Sequence, residues 1–219
     1  MNNLTNDIKL IIFDVDGTIM DSIGRIIECM QESAKKYQVA IPTPQEVKNI
    51  IGITLRHAVE VLFPEQTQEM VDLITDEYRR LYNLWEDERP TALYPGTMET
   101  LETLKGRGYK LAIATGKSQR GLARLYRDDK LYSLFSGAVT GDQAKSKPDP
   151  MMLEKLLGEF GLHPDQAVMI GDSNLDLRMA KNIGMPSIGI TWGVHSGEIL
   201  AKEEPAALID NISELLELF

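Results

Sequence analysis

The 219-residue sequence contains one cysteine, Cys29, and only three histidines. A single thiol forms neither an internal disulfide nor a zinc–thiolate cluster, and this usage fits a reducing, cytoplasmic compartment. Beside Ile26 and Ile27 on a predicted helix, Cys29 reads as a small buried hydrophobe. His57, His163 and His195 share no metal-ligand spacing and read as structural or surface groups. Positive charge is also scarce, with 23 Lys and Arg against 33 Asp and Glu and a net charge of −10. Such a surface repels nucleic-acid backbones and anionic membranes, so neither is expected as a partner. A small anionic ligand stays compatible, because a few cations and a metal invert the potential inside a cleft. No apolar run reaches the length of a membrane span. Residues 1–7 lack the basic and apolar regions of a signal peptide. A soluble cytoplasmic protein is expected, with monomer and homodimer both open.

What the sequence does contain is alternation. Short apolar runs at Lys9–Phe13, Lys110–Ala114, Gly137–Thr140, Ala167–Ile170, Ser187–Thr191 and Ala206–Ile209 read as strands buried on both faces. Helical patterns lie between them at Gly96–Lys105, Ser118–Arg127, Pro150–Phe160 and Leu175–Ile183, with Gly106, Gly161 and Gly184 as stop signals. This order predicts an α/β fold on a parallel sheet. The stretch from Asp21 to about Pro90 breaks the pattern and reads as helix at Asp21–Tyr37, Gln45–Ile51, Leu55–Phe63 and Gln66–Trp85. Its length, about 70 residues, is too great for a loop, so it reads as an inserted helical domain. The expected junctions lie at Ile19–Asp21 and Pro90–Tyr94, where a hinge would act.

In a parallel sheet, ligands bind beyond the carboxyl ends of the strands. Asp14 and Asp16 follow the first predicted strand, Thr115, Gly116 and Lys117 the second, Lys147 the third, and Asp172 and Asp176 the fourth. This set suits phosphoryl transfer. A dianionic phosphate repels an attacking carboxylate, so cations must neutralise the site. Asp14 and Asp172 with a backbone carbonyl offer the hard oxygens that Mg2+ prefers. Lys147, Thr115 and the backbone of the Gly116 turn are candidates for the phosphate oxygens. Asp16 is placed to protonate a departing alkoxide and then to activate water, a role that asks for a raised pKa. A calcium loop is the duller reading of either aspartate run. It wants Gly at the sixth position and Glu at the twelfth, where this chain has Ile19 and Arg25, or Leu177 and Ile183.

Asp14-Val15-Asp16-Gly17-Thr18, Thr115, Lys147-Pro148 and Gly171-Asp172 with Asp176 stand in the order of four family motifs. On these residues the chain resembles the haloacid dehalogenase-like superfamily, in its phosphoglycolate phosphatase-like branch. The likeness covers essentially the whole chain. It implies a Rossmann-like three-layer core from residues 1–19 and 92–219, with a helical cap at residues 20–91. It also implies Asp14 as nucleophile, Asp16 as general acid/base, and Mg2+ at Asp14, the Asp16 carbonyl and Asp172, assisted by Asp176. The implied reaction is hydrolysis of a small phosphomonoester, phosphoglycolate among the candidates, through an aspartyl phosphate.

The superfamily hosts other chemistries. Dehalogenase relatives lack the second aspartate, which is present here as Asp16. β-Phosphoglucomutase relatives carry a histidine where this chain has Ile26, and phosphonatase relatives need a cap lysine near Arg25. A non-catalytic binding protein on this fold is the rival from another class, and it has no need of Asp16 beside Asp14. Substrate choice is expected from the cap: Gly52 and Arg56 in a break between two helices, and Ser22 and Arg25 just past the hinge. Arg56 is read either as a partner for a substrate carboxylate or as a solvated helix residue. Lys117 is read either as added positive charge at the site or as a surface lysine.

Overall fold

The computed structural model describes residues 7–125 and 129–219. Six strands form one parallel sheet: β1 Leu10–Phe13, β2 Lys110–Ala114, β3 Gly137–Val139, β4 Ala167–Gly171, β5 Ser187–Ile190 and β6 Ala207–Ile209. Their spatial order is β3-β2-β1-β4-β5-β6. β1 is central, with Ile11 registered on Leu111 to one side and on Val168 to the other. Its side chains alternate between two cores. Ile11 and Phe13 pack with Leu101, Ile113, Val168 and Leu215, whereas Leu10 and Ile12 pack with Met152, Leu156, Met169 and Met179. Both faces are apolar because helices cover both, which is why these strands read as continuous apolar runs.

The helices are α1 Ile23–Lys36, α2 Pro44–Lys48, α3 Leu55–Leu62, α4 Gln68–Glu88, α5 Thr97–Gly106, α6 Gln119–Leu125, α7 Asp129–Leu134, α8 Met151–Phe160, α9 Asn174–Lys181, α10 Gly197–Ala201 and α11 Leu215–Leu218. All six expected strands are present within a residue or so. The short helices α7, α10 and α11 lack the length that makes periodicity legible. Residues 126 and 127 of the helix expected at Ser118–Arg127 lie outside the described residues. One stop signal moves: α5 runs through Gly106, and the left-handed backbone falls at Gly108.

Helices α1–α4 fill the interval between β1 and α5 and share their own apolar cluster, including Met30, Val47, Val59, Val71 and Ile74. Thr43 begins α2 with a reciprocal side-chain cap to Glu46, and the Thr67 hydroxyl accepts from Met70 N at the start of α4. Glu77 on α4 is almost fully buried and bonds Lys36 Nζ at 2.6 Å and Arg80 at 2.8 and 2.9 Å. The chain leaves and re-enters the α/β core side by side, where Met20 bridges Leu93 and Asp21 N donates to Ala92 O. No helix among the described residues is long and apolar enough to cross a membrane.

Candidate active site

The strand order reverses direction between β1 and β4, and the crevice outside their carboxyl ends is the ligand position such sheets provide. Asp14 leaves β1 and Asp172 leaves β4, so the two flank this crevice. Asp176 reaches it from the first turn of α9, held by a reciprocal cap. Ser173 N and Oγ donate to Asp176 Oδ2 at 3.2 and 2.6 Å. Asp172 is fixed by Thr18 Oγ1 on Oδ1 at 2.9 Å and by Val194 N on Oδ2 at 2.8 Å. Carboxylate oxygens of Asp14, Asp172 and Asp176, one from each, all lie within 4.8 Å of one another.

Lys147 is the cation inside this cluster, its side chain fully buried. Its Nζ donates to Asp176 Oδ1 at 2.6 Å and comes within 2.8 Å of Asp14 Oδ1. Lys147 is thus the one basic group that the structure sets against buried Asp14 Oδ1 among the described residues. Three buried carboxylates therefore face one ammonium. Burial pushes the Asp14 carboxyl up to about 7, with Lys147 opposing and Asp176 adding to the rise. Asp172 is pushed well up by burial and by the charges of Asp14 and Asp176. Burial works against the charge on Lys147, but Asp14 and Asp176 outweigh it and raise its pKa. Three hard carboxylate donors gathered around one ammonium fit a divalent cation, whose charge would favour their ionised forms.

Asp16 points elsewhere. Its Oδ1 accepts from Ser22 Oγ at 2.6 Å and lies 2.7 Å from Lys117 Nζ. Lys117 also donates to the Tyr82 hydroxyl at 3.2 Å and sits over the Tyr82 ring. Its side chain is 11% exposed, which replaces the surface-lysine reading with a contact between the α/β core and α4. Asp16 and Tyr82 raise its pKa against the opposing effect of burial. Thr115 is buried, and its Oγ1 accepts from Lys117 N at 3.2 Å, which shapes the turn after β2. A side-chain carbon at Gly116 would fall 2.6 Å from Gly52 O and 2.7 Å from Ile53 O. The helical segment thus rests on bare backbone here, and Thr54 N donates to Ser146 Oγ at 3.1 Å nearby.

The residues of the helical segment expected to choose the substrate are not alike. Gly52 and Arg56 line a cavity above Asp14 and Asp16. The Arg56 guanidinium, however, is taken up by Glu60, by Asp72 at 3.1 Å and by Gln68 at 2.6 Å. Arg25 bonds Glu86 Oε2 at 2.5 Å and the Arg89 carbonyl, which ties α1 to the end of α4. Ser22 is fully buried and spends its hydroxyl on Asp16. Sequence reasoning missed Tyr78 and Tyr82, which stack with ring centres 5.9 Å apart and line the cavity. Their spacing of four on one helix was the available signal. It also missed the loop after β5. There a side-chain carbon on Gly193 would fall 2.1 Å from Asp172 Cβ, and His195 Nδ1 accepts from Asn174 N at 3.1 Å.

Comparison with known proteins identifies the family and the fold. The pattern of the haloacid dehalogenase-like hydrolases matches residues 11–190. A probable phosphatase, IndB, of Dickeya dadantii is 31% identical, over 94% of this chain and 91% of its own. The phosphoglycolate phosphatase of Aliivibrio fischeri is 31% identical over 96% of each chain. The crystal structure of a predicted phosphoglycolate phosphatase from Haemophilus somnus superposes with a TM-score of 0.86 at 26% identity, covering 98% of this chain and 99% of that one.

Proposed function

Because the chain belongs to the haloacid dehalogenase-like hydrolase family, in its phosphoglycolate phosphatase-like branch, we propose that it hydrolyses a phosphomonoester through an aspartyl phosphate on Asp14. The observation that carries this reading is the buried trio Asp14, Asp172 and Asp176 against the single ammonium of Lys147. Asp14 and Asp172, with Asp176 and the Asp16 carbonyl in support, would hold Mg2+. The ion supplies charge neutralisation between the phosphate and these carboxylates. Asp14 attacks phosphorus, the ester P–O bond breaks, and the departing alkoxide takes its proton from Asp16. Asp16 then takes a proton from water as that water attacks the aspartyl phosphate, freeing Asp14 and inorganic phosphate. Lys147 and Thr115 hold the phosphoryl oxygens throughout. Ser22 and Lys117 position Asp16, and helices α1–α4, as a cap over residues 20–91, keep bulk water from the intermediate. Which alcohol carries the phosphate is decided by the cavity above Asp16. In a phosphate-release assay with Mg2+, Asp14→Asn is expected to lose at least about a thousandfold in rate while keeping its circular dichroism. Undiminished release from that variant would refute Asp14 as the nucleophile.

A further inference from the structure

The cavity that opens on Asp14 and Asp16 has a volume of about 410 Å³. That lies within the range of sites that enclose drug-sized ligands. A two-carbon phosphoester would leave much of it to water, since about a dozen waters fill such a volume. Its wall is mostly apolar, formed by Ile26, Met30, Ile50, Ile53 and the stacked pair Tyr78 and Tyr82. Three of the four cations that line it are engaged in ion pairs: Lys117 with Asp16, Arg56 with Glu60 and Asp72, and Arg79 with Asp76. Arg120 stands exposed on the lining. A small carboxylated substrate would thus have exposed Arg120 for its second charge, with ion-paired cations and mostly apolar walls around the rest of the cavity. A flat apolar body would instead bury its surface against the tyrosines and isoleucines.

We propose that the preferred substrate is a phosphomonoester whose leaving alcohol carries a flat, largely apolar group of ring size or larger, seated between α1, the Ile50–Ile53 segment and the Tyr78–Tyr82 face of α4. The catalytic part of this inference rests on the phosphatase reading; the binding part does not. The test holds the leaving oxygen constant by comparing 2-phenylethyl phosphate with ethyl phosphate and 2-phosphoglycolate, all in Mg2+. kcat/KM is expected to favour the phenylethyl ester over both others by on the order of tenfold to a hundredfold, the gain from burying one phenyl ring. Replacing half-buried Ile53 with a larger ring, Ile53→Trp, should collapse that ratio. In parallel, 2-phenylethylphosphonate and ethylphosphonate, which release no phosphate, are titrated by calorimetry against the Mg2+-loaded protein. The ring-bearing compound is expected to bind at least about tenfold more tightly. Equal or better turnover of ethyl phosphate or phosphoglycolate overturns the proposal and leaves the phosphatase reading standing. Equal phosphonate affinities likewise overturn it. Tight binding of the ring-bearing phosphonate without release from any ester supports the binding part of the proposal and overturns the phosphatase reading, and with it the substrate part.

Discussion

Replacing Lys147 with methionine removes a charge and leaves the side-chain volume nearly unchanged. The Nζ sits between Asp14 Oδ1 at 2.8 Å and Asp176 Oδ1 at 2.6 Å, with all three side chains buried. Breaking a buried ion pair from one side leaves an uncompensated charge, at a cost of about 3–5 kcal/mol. In the metal-free protein the cost should depend on pH, and its sign follows from Asp14. Burial already raises that carboxyl to about 7 in the presence of Lys147, which opposes the rise. Without Lys147 it rises further, so the folded variant takes up a proton that the unfolded chain releases near its ordinary carboxylate pKa. Extra protons on the folded state mean that stability increases as pH falls through this range. Urea unfolding in EDTA at pH 8 and pH 6 is therefore expected to put Lys147→Met about 3–5 kcal/mol below the parent at pH 8 and closer to it at pH 6. A loss under about 1 kcal/mol at pH 8, or one independent of pH, would refute the account of a buried ammonium compensating buried carboxylates.

Three other outcomes can be checked. Gly193→Ala places a carbon 2.1 Å from Asp172 Cβ and must displace that side chain, so Mg2+ affinity, read by thermal shift against Mg2+ concentration, should fall roughly tenfold to a hundredfold; an unchanged midpoint would contradict the placement of Asp172. Glu77 is held at about 2, chiefly by its hydrogen bonds to Arg80, so its contribution is present above about pH 4.3 and lost as pH falls toward 2. Thermal unfolding should thus separate Glu77→Gln from the parent at pH 7 and bring them together near pH 2, by a modest amount because Lys36 and Arg80 are half-exposed. Lys117→Met releases Asp16 and Tyr82 together, and kcat is expected to drop about tenfold to a hundredfold with the fold intact; equal kcat would remove Lys117 as a positioning residue.

The sequence by itself determined the strand set, the helical interval after β1 and the identity of the carboxylates at the strand ends. Each depends on local signals. Ile11 and Phe13 alternate with Leu10 and Ile12 across a doubly covered sheet, and a strand end must present whatever follows it to the same edge. Only the tertiary structure decided what the charged side chains meet. Arg56 and Lys117 both sit near a glycine-bearing turn, and the one local clue, Glu60 four residues after Arg56 on the same helix, does not say which cation is buried. Packing of α3 against α4 brings Asp72 and Gln68 to Arg56, which already meets Glu60 one turn along α3, whereas the turn after β2 aims Lys117 at Asp16 and Tyr82. The apolar cavity was hidden for the same reason. Ile26, Ile53 and Tyr82 lie far apart in the chain, and apolar residues of a helix that faces a cavity carry the same period as those that face a core.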